Sequence, residues 1–82
     1  MIKVVCKDNS NLPQGAELNK DEEYIVIDDF QNSMGERTYI LLGINNEGKT
    51  ALGFPWRGYK ATRFRISEDE EVAIEEFDYN LN

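Results

Sequence analysis

The residues best suited to chemistry in this sequence are the cations and aromatic rings between Glu47 and Glu68, a stretch without acidic residues. Five basic residues, Lys49, Arg57, Lys60, Arg63 and Arg65, are interleaved there with Phe54, Trp56, Tyr59 and Phe64. Because cations meet phosphates and flat rings stack on exposed bases, this segment could bind nucleic acid. The same residue types also line protein grooves in which aromatic rings receive an extended peptide.

A structural role for part of this segment is the alternative. Along residues 63–66 the side chains should alternate between the two faces of a strand, so Arg63 and Arg65 point outwards merely because Phe64 points inwards. In a small barrel at least two of the four rings should be core residues, and Phe54 and Phe64 are predicted to be those two. Trp56 and Tyr59 remain as the rings that could form a ligand surface, together with Arg57 and Lys60.

The end of the chain has the opposite charge. Residues 1–66 carry 9 basic and 9 acidic side chains, whereas residues 67–82 carry 7 acids and no base, so the net charge of -7 belongs to the C-terminal segment. Tethered acids compete with phosphates for the basic stretch, which disfavours nucleic-acid binding by the full chain. The acids Glu68, Asp69, Glu70 and Glu71 could instead mimic phosphates towards a basic partner. A disordered, solubility-promoting end is the third interpretation.

Several kinds of catalysis are disfavoured by composition. The chain has no histidine, the usual general base near neutral pH and the commonest metal ligand, and it has one cysteine. Structural zinc, serine-histidine catalysis and phosphate-binding glycine loops therefore lack their residues. Acidic pairs such as Asp28 and Asp29 lack the spacing of a calcium loop, and a small barrel rarely builds a glycosidase cleft. We expect no catalytic residue, no metal and no cofactor.

Size and cysteine content indicate one small domain in a reducing compartment. The chain has 82 residues, no apolar run near the ~20 residues that span a bilayer, and an N-terminus without a signal-peptide pattern. The cytoplasm is the expected location. Cys6 cannot form an internal disulfide, and because it alternates with Ile2 and Val4 it is predicted to be a buried core residue.

Short apolar runs separated by turn residues predict an all-β domain. The expected strands are residues 2–6, 23–28, 38–42, 50–54 and 63–66. Residues 7–15 form a long loop, residues 32–36 a turn, and residues 44–49 a hairpin connection in which Asn45, Asn46 and Gly48 accept positive φ. Pro55 should end the fourth strand, and residues 56–62 should hold a single helical turn. Five short strands favour a small antiparallel barrel, because closure removes exposed edges.

Two motifs carry a resemblance to a known family. The run from Leu18 to Val26 (LNKDEEYIV), followed by residues 59–64 (YKATRF), resembles small SH3-like barrel proteins of bacteria and their phages. Asp21 stands where that family usually has glycine. The resemblance covers residues 2–66, implies a five-stranded SH3-like barrel and leaves the tail unmatched. The expected domains are therefore a barrel over residues 1–66 and an acidic C-terminal tail over residues 67–82. It implies a binding role only in general terms, because this fold serves many functions.

The sequence thus predicts a non-catalytic SH3-like module that binds a protein partner, with a phage-encoded modulator or inhibitor of a host protein as one form of this role. The partner-binding residues are predicted to be Trp56, Arg57, Tyr59, Lys60, Arg63, Glu68, Asp69, Glu70 and Glu71, with the loop 8–17 beside them. The alternative is a small nucleic-acid-binding barrel with an autoinhibitory acidic tail. The partner's identity and the oligomeric state stay open.

Overall fold

The computed structural model describes residues 2–69, where one 3-10 turn is the only regular element that is not a β-strand. The strands are β1 (Ile2–Cys6), β2 (Glu23–Gln31), β3 (Arg37–Leu41), β4 (Glu47–Lys49), β5 (Pro55–Arg57), β6 (Tyr59–Lys60) and β7 (Phe64–Asp69). The 3-10 turn, Ala61–Arg63, lies between β6 and β7. The prediction of an all-β fold is confirmed.

Five strands form one antiparallel sheet in the order β6-β3-β2-β1-β7, and β4 pairs with β5 in a separate hairpin. β6 and β7 are the two edges of the larger sheet, yet the three residues Ala61–Arg63 alone separate them in sequence. A sheet whose opposite edges are joined so closely has to curl. The described chain is therefore a half-barrel, with its concave face around the core.

The core follows from the alternation in β1. Val4 and Cys6 face inwards, where Val4 lies opposite Tyr24 of β2 and Cys6 lies opposite Phe64 of β7. The buried apolar residues are Val4, Cys6, Leu18, Tyr24, Val26, Tyr39, Leu41, Tyr59 and Phe64. Cys6 is thus a core residue as predicted, and burial raises the pKa of its thiol.

The long loop between β1 and β2 is fixed at both ends by backbone hydrogen bonds. The Cys6 amide donates to the Glu22 carbonyl at 3.0 Å, and the Asp21 amide donates to the Cys6 carbonyl at 2.7 Å. Asp21 has a φ of 69°, in the left-handed region that glycine adopts most easily and that aspartate tolerates. This explains how an aspartate can occupy that position of the loop.

The prediction for the fourth strand is wrong. Residues 50–54 form a turn instead, in which the Thr50 amide donates to the Phe54 carbonyl at 2.8 Å and Gly53 has a φ of 85°. The strands lie on either side, as β4 and β5, and Pro55 begins β5 rather than ending a strand. Proline is tolerated there because the first residue of a strand can lack an N–H partner. Phe54, predicted to be core, is 64% exposed.

The last strand is longer than predicted. β7 continues beyond Ile66 through Ser67 to Asp69, and Glu68 and Asp69 pair with Lys3 and Ile2 of β1. The beginning of the predicted acidic tail is therefore part of the sheet. Glu70 and Glu71, which the sequence assigns to the partner contact, lie outside the described residues, as does the rest of the tail.

Candidate partner-binding site

Trp56 is half-buried and is held by contacts on three sides. Its indole Nε1 donates a hydrogen bond to the Gln14 carbonyl at 3.1 Å, and its ring packs against that of Tyr59, with centroids 5.7 Å apart and planes tilted by 58°. Opposite Trp56 in the β4–β5 hairpin is Gly48, where a Cβ atom would lie 2.8 Å from the indole nitrogen. The glycine therefore provides the space that this indole occupies.

Tyr59 is a core residue, which corrects its assignment to the partner surface. Its side chain is 2% exposed. The hydroxyl accepts a hydrogen bond from the Glu17 amide at 3.2 Å and donates a short one to the Asn45 carbonyl. Tyr59 thus ties the long loop to the segment before β4, and its ring packs against that of Trp56.

Replacing Tyr59 with phenylalanine should lower the free energy of unfolding by about 1–3 kcal/mol, because the Glu17 amide and the Asn45 carbonyl lose their partner. Burial also raises the pKa of the Tyr59 phenol. A raised pKa means that the stability contribution is complete below the ordinary tyrosine pKa of about 10 and is lost as pH rises through the folded value. Y59F should therefore lose less stability than the wild type between neutral and strongly alkaline pH.

Urea unfolding followed by circular dichroism at neutral and alkaline pH measures both effects. Y39F is the matched control, since Tyr39 is also buried but its hydroxyl has no hydrogen-bond partner among the described residues. Equal losses in the two variants at neutral pH would show that the Tyr59 hydroxyl bonds do not stabilise the fold.

Arg63 and Lys60 have structural partners, which also changes their predicted role. Arg63 donates to the carbonyls of Asp8 and Ser10, at 3.2 and 2.7 Å, and so pins the long loop to the end of the 3-10 turn. Lys60 forms a salt bridge with Glu36, with Nζ 3.0 Å from Oε2. One terminal nitrogen of Arg63 is therefore engaged by the long loop, and the charge of Lys60 is largely balanced.

Trp56 and Arg57 border an open cleft of about 470 Å³, which we call the Trp56 cleft. Its walls come from Pro13 of the long loop, from residues 30–33 at the end of β2, and from residues 55–58, with Thr38 and Lys60 completing it. Arg57 extends across one wall, with its Cζ atom 5.0 Å from the centroid of the Phe30 ring. The structure thus brings Trp56, Arg57 and Lys60 together, and it adds Phe30, Pro13 and Pro55, which the sequence did not single out.

The tip of the β4–β5 hairpin is a second exposed apolar feature next to the cleft. Leu52 is 85% exposed and Phe54 is 64% exposed. The turn that carries them is ordered by the Thr50 hydroxyl, which accepts from the Phe54 amide at 3.1 Å, and by the Gly53 amide, which donates to the Thr50 carbonyl at 2.9 Å. Large apolar side chains held out in this way are typical of interaction surfaces.

Residues 2–69 contain no group of three or more acidic or cysteine side chains placed to hold a metal ion, and no helix there is long and apolar enough to cross a membrane.

Glu68 and Asp69, also predicted to contact a partner, are placed in β7 at the end of the sheet by their backbone pairing.

No protein-family model, curated protein or solved structure matches the chain.

Proposed function

We propose that the chain is a non-catalytic binding module with an SH3-like barrel, and that it receives an extended segment of a partner protein in the Trp56 cleft. The observation that carries this proposal is the composition of the cleft wall. Two prolines, Pro13 and Pro55, and two aromatic rings, Phe30 and Trp56, surround an opening of about 470 Å³ with Arg57 at its border. Gln31, Ser33 and Thr38 add polar groups to the same wall. Flat apolar rings alternating with hydrogen-bonding groups are suited to an extended peptide.

The cleft is also held in place before any ligand arrives. Trp56 is fixed by its hydrogen bond to Gln14 and by the Tyr59 ring, and Arg57 is ordered over Phe30. Side chains that are already ordered lose less conformational entropy on binding, so more of the contact energy contributes to affinity. A rigid site of this kind favours recognition of a partner over incidental exposure of apolar side chains.

The SH3-like part of the proposal rests on the order of elements. A long loop follows β1, the strands are short and antiparallel, and one 3-10 turn precedes the last strand. Asp21 adopts the left-handed conformation at the position where the similar proteins usually have glycine. These features agree with the resemblance of residues 18–26 and 59–64 to SH3-like proteins.

Nucleic-acid binding is less well supported. Of the five cations in the basic segment, Arg63 is bonded to the long loop and Lys60 is paired with Glu36. Proteins that bind nucleic acid strongly neutralise several phosphates at once. The cleft itself contributes one unpaired cation, Arg57, so it can neutralise few phosphates of a polyanion.

Selection from a phage-displayed library of random peptides, with the immobilised full-length chain as bait, tests the proposal. Peptides should be enriched, and their synthetic versions should bind the wild type. S33W should weaken that binding by about tenfold or more, because Ser33 is exposed, lines the cleft, and a large ring there fills it. I27W is the matched control, since Ile27 is exposed but does not line the cleft.

The fold of both variants is checked by circular dichroism. This distinguishes weaker binding caused by a blocked cleft from weaker binding caused by unfolding. Three outcomes would overturn the proposal: no peptide is enriched, S33W binds as tightly as the wild type, or I27W weakens binding as much as S33W does. A parallel titration with single-stranded oligonucleotide at low salt should give no binding comparable to that of the peptides.

A further inference from the structure

We infer that the segment received in the Trp56 cleft is acidic, and that one of its carboxylates binds the guanidinium of Arg57. This inference rests on the proposed function and adds the chemical class of the ligand. It depends on the charge of the cleft, on the placement of Arg57 and on the neighbouring ion pair.

The charged residues that line the cleft are basic. Its charged lining residues among those described are Arg57 and Lys60, and no carboxylate belongs to the lining. Glu36 lies just outside the cleft and balances Lys60. Glu47 lies opposite Arg57 in the β4–β5 hairpin, but it does not line the cleft, and no salt bridge joins the two side chains within residues 2–69. The unpaired charge that a ligand meets in the cleft is therefore that of Arg57.

Arg57 is placed to bind a carboxylate through two N–H groups of its guanidinium. Its Cζ atom lies 5.0 Å from the centroid of the Phe30 ring, and within residues 2–69 it forms no salt bridge. A cation–π contact of this kind leaves guanidinium N–H groups free to donate. A planar fork held in this way matches the two oxygens of a carboxylate, the strongest common geometry for such a contact.

Two of the other three arginines already have partners. Arg37 holds the Asp29 carboxylate, with Oδ2 at 2.6 Å from its terminal nitrogen, and Arg63 donates to loop carbonyls. Arg65 is exposed but lies outside the cleft. Arg57 thus combines a guanidinium held over a ring, donors without a carboxylate partner and a position beside the apolar rings of the cleft. The expected ligand carries a glutamate or aspartate next to apolar or proline residues, which would pack on Trp56, Pro13 and Pro55.

A carboxylate is favoured over a phosphate backbone because the cleft has a single unpaired cation. A nucleic acid gains affinity from many phosphates, whereas a peptide with one acid among apolar residues uses the cation and the apolar rings of the cleft together. Binding of an oligonucleotide is therefore an outcome that would contradict the inference.

The library selection is run in parallel on the full-length wild type, on R57Q and on R65Q. Arg65 is an exposed strand residue outside the cleft, so R65Q removes the same charge without touching the site. Peptides enriched on the wild type and on R65Q should contain more glutamate and aspartate than the unselected library. That excess should disappear on R57Q.

A double-mutant cycle then tests the pairing itself. Replacing the shared acid of an enriched synthetic peptide with glutamine should weaken its binding to the wild type by about tenfold, and R57Q should have a similar effect. The two changes together should cost no more than either alone, because each removes the same contact. Fluorescence polarisation of labelled peptides gives the dissociation constants.

The outcomes separate this inference from the function on which it rests. Enriched peptides that bind in the cleft but carry no excess of acids, or that respond equally to R57Q and R65Q, overturn the acidic ligand and leave the peptide-binding module standing. Absence of any enriched peptide overturns both. Tighter binding of a single-stranded oligonucleotide than of the best peptide also overturns both, and identifies the ligand as a polyanion.

Discussion

Replacing Gly58 with alanine is expected to destabilise this protein strongly, although the substitution adds a single methyl group. Gly58 has a φ of 77°, which residues with a side chain rarely adopt, and a Cβ atom there would lie 2.5 Å from Thr38 Cγ2 and 3.0 Å from the Tyr39 carbonyl oxygen. Thr38 and Tyr39 are buried in β3. Conformational strain and overlap with a buried strand add up to about 3 kcal/mol or more.

For a domain of this size such a loss lowers the melting temperature by about 12 °C or more. Thermal unfolding followed by circular dichroism measures it. G35A is the matched control, because Gly35 has a φ of 79° but nothing lies within 4 Å of its added Cβ atom. G35A should therefore show the strain alone, about 1 kcal/mol. Similar melting temperatures for the two variants would mean that β3 does not pack against Gly58 as described.

The second large effect is expected at Asn46, whose side chain closes the turn between β3 and β4. Its Oδ1 accepts from the Leu41 amide at 2.8 Å, and its Nδ2 donates to the carbonyls of Leu41 and Ile44, at 2.8 and 2.9 Å. N46A removes all three bonds at the end of the buried strand. The free energy of unfolding should fall by about 2–4 kcal/mol, at roughly 1 kcal/mol for each bond.

Urea denaturation compares N46A with N9A, in which an exposed asparagine loses one long hydrogen bond, to the Leu18 carbonyl at 3.5 Å. N9A should change stability by about 0.5 kcal/mol or less. N46D adds a test of geometry, because a carboxylate keeps the acceptor but faces two carbonyl oxygens. Stability of N46A within the range of N9A would contradict the assigned hydrogen bonds.

Much of the sheet could be predicted because its signals are local. Ile2, Val4 and Cys6 alternate with outward residues, and this period alone places β1 and its core face. The turn at residues 32–36 and the beginning of β2 follow from similarly local patterns. The all-β class and the antiparallel arrangement depend on such features.

The sequence-based prediction of the β4–β5 hairpin is wrong because one of its glycines, Gly48, is needed for packing against Trp56 and not for a turn. Gly48 is predicted to be a turn residue, but it lies within β4 and accommodates the indole of Trp56. Gly53 supplies the positive φ of the real turn. Which of two glycines makes a turn depends on what packs over the other, and the sequence near each does not contain that information.

The candidate site is predictable only in part for the same reason. Trp56 and Arg57 follow from the basic aromatic segment, whereas Pro13 and Phe30 come from distant parts of the chain and join the cleft through folding. Tyr59 belongs to the basic aromatic segment, whose composition is typical of a binding surface. Its hydroxyl nevertheless accepts a hydrogen bond from the Glu17 amide, 42 residues away, and its ring lies in the core.

The indole N–H signal of Trp56 offers the most direct test of the central claim, that the Trp56 cleft binds an extended partner segment. Trp56 is the chain's one tryptophan, so its signal in a proton–nitrogen correlation spectrum needs no assignment. Titration of the full-length chain with an enriched peptide should shift this signal and the backbone amides of Gln31, Ser33 and Arg57 at the same peptide concentrations. Saturable binding that leaves these signals unchanged and shifts amides around Ile27 instead would contradict the claim.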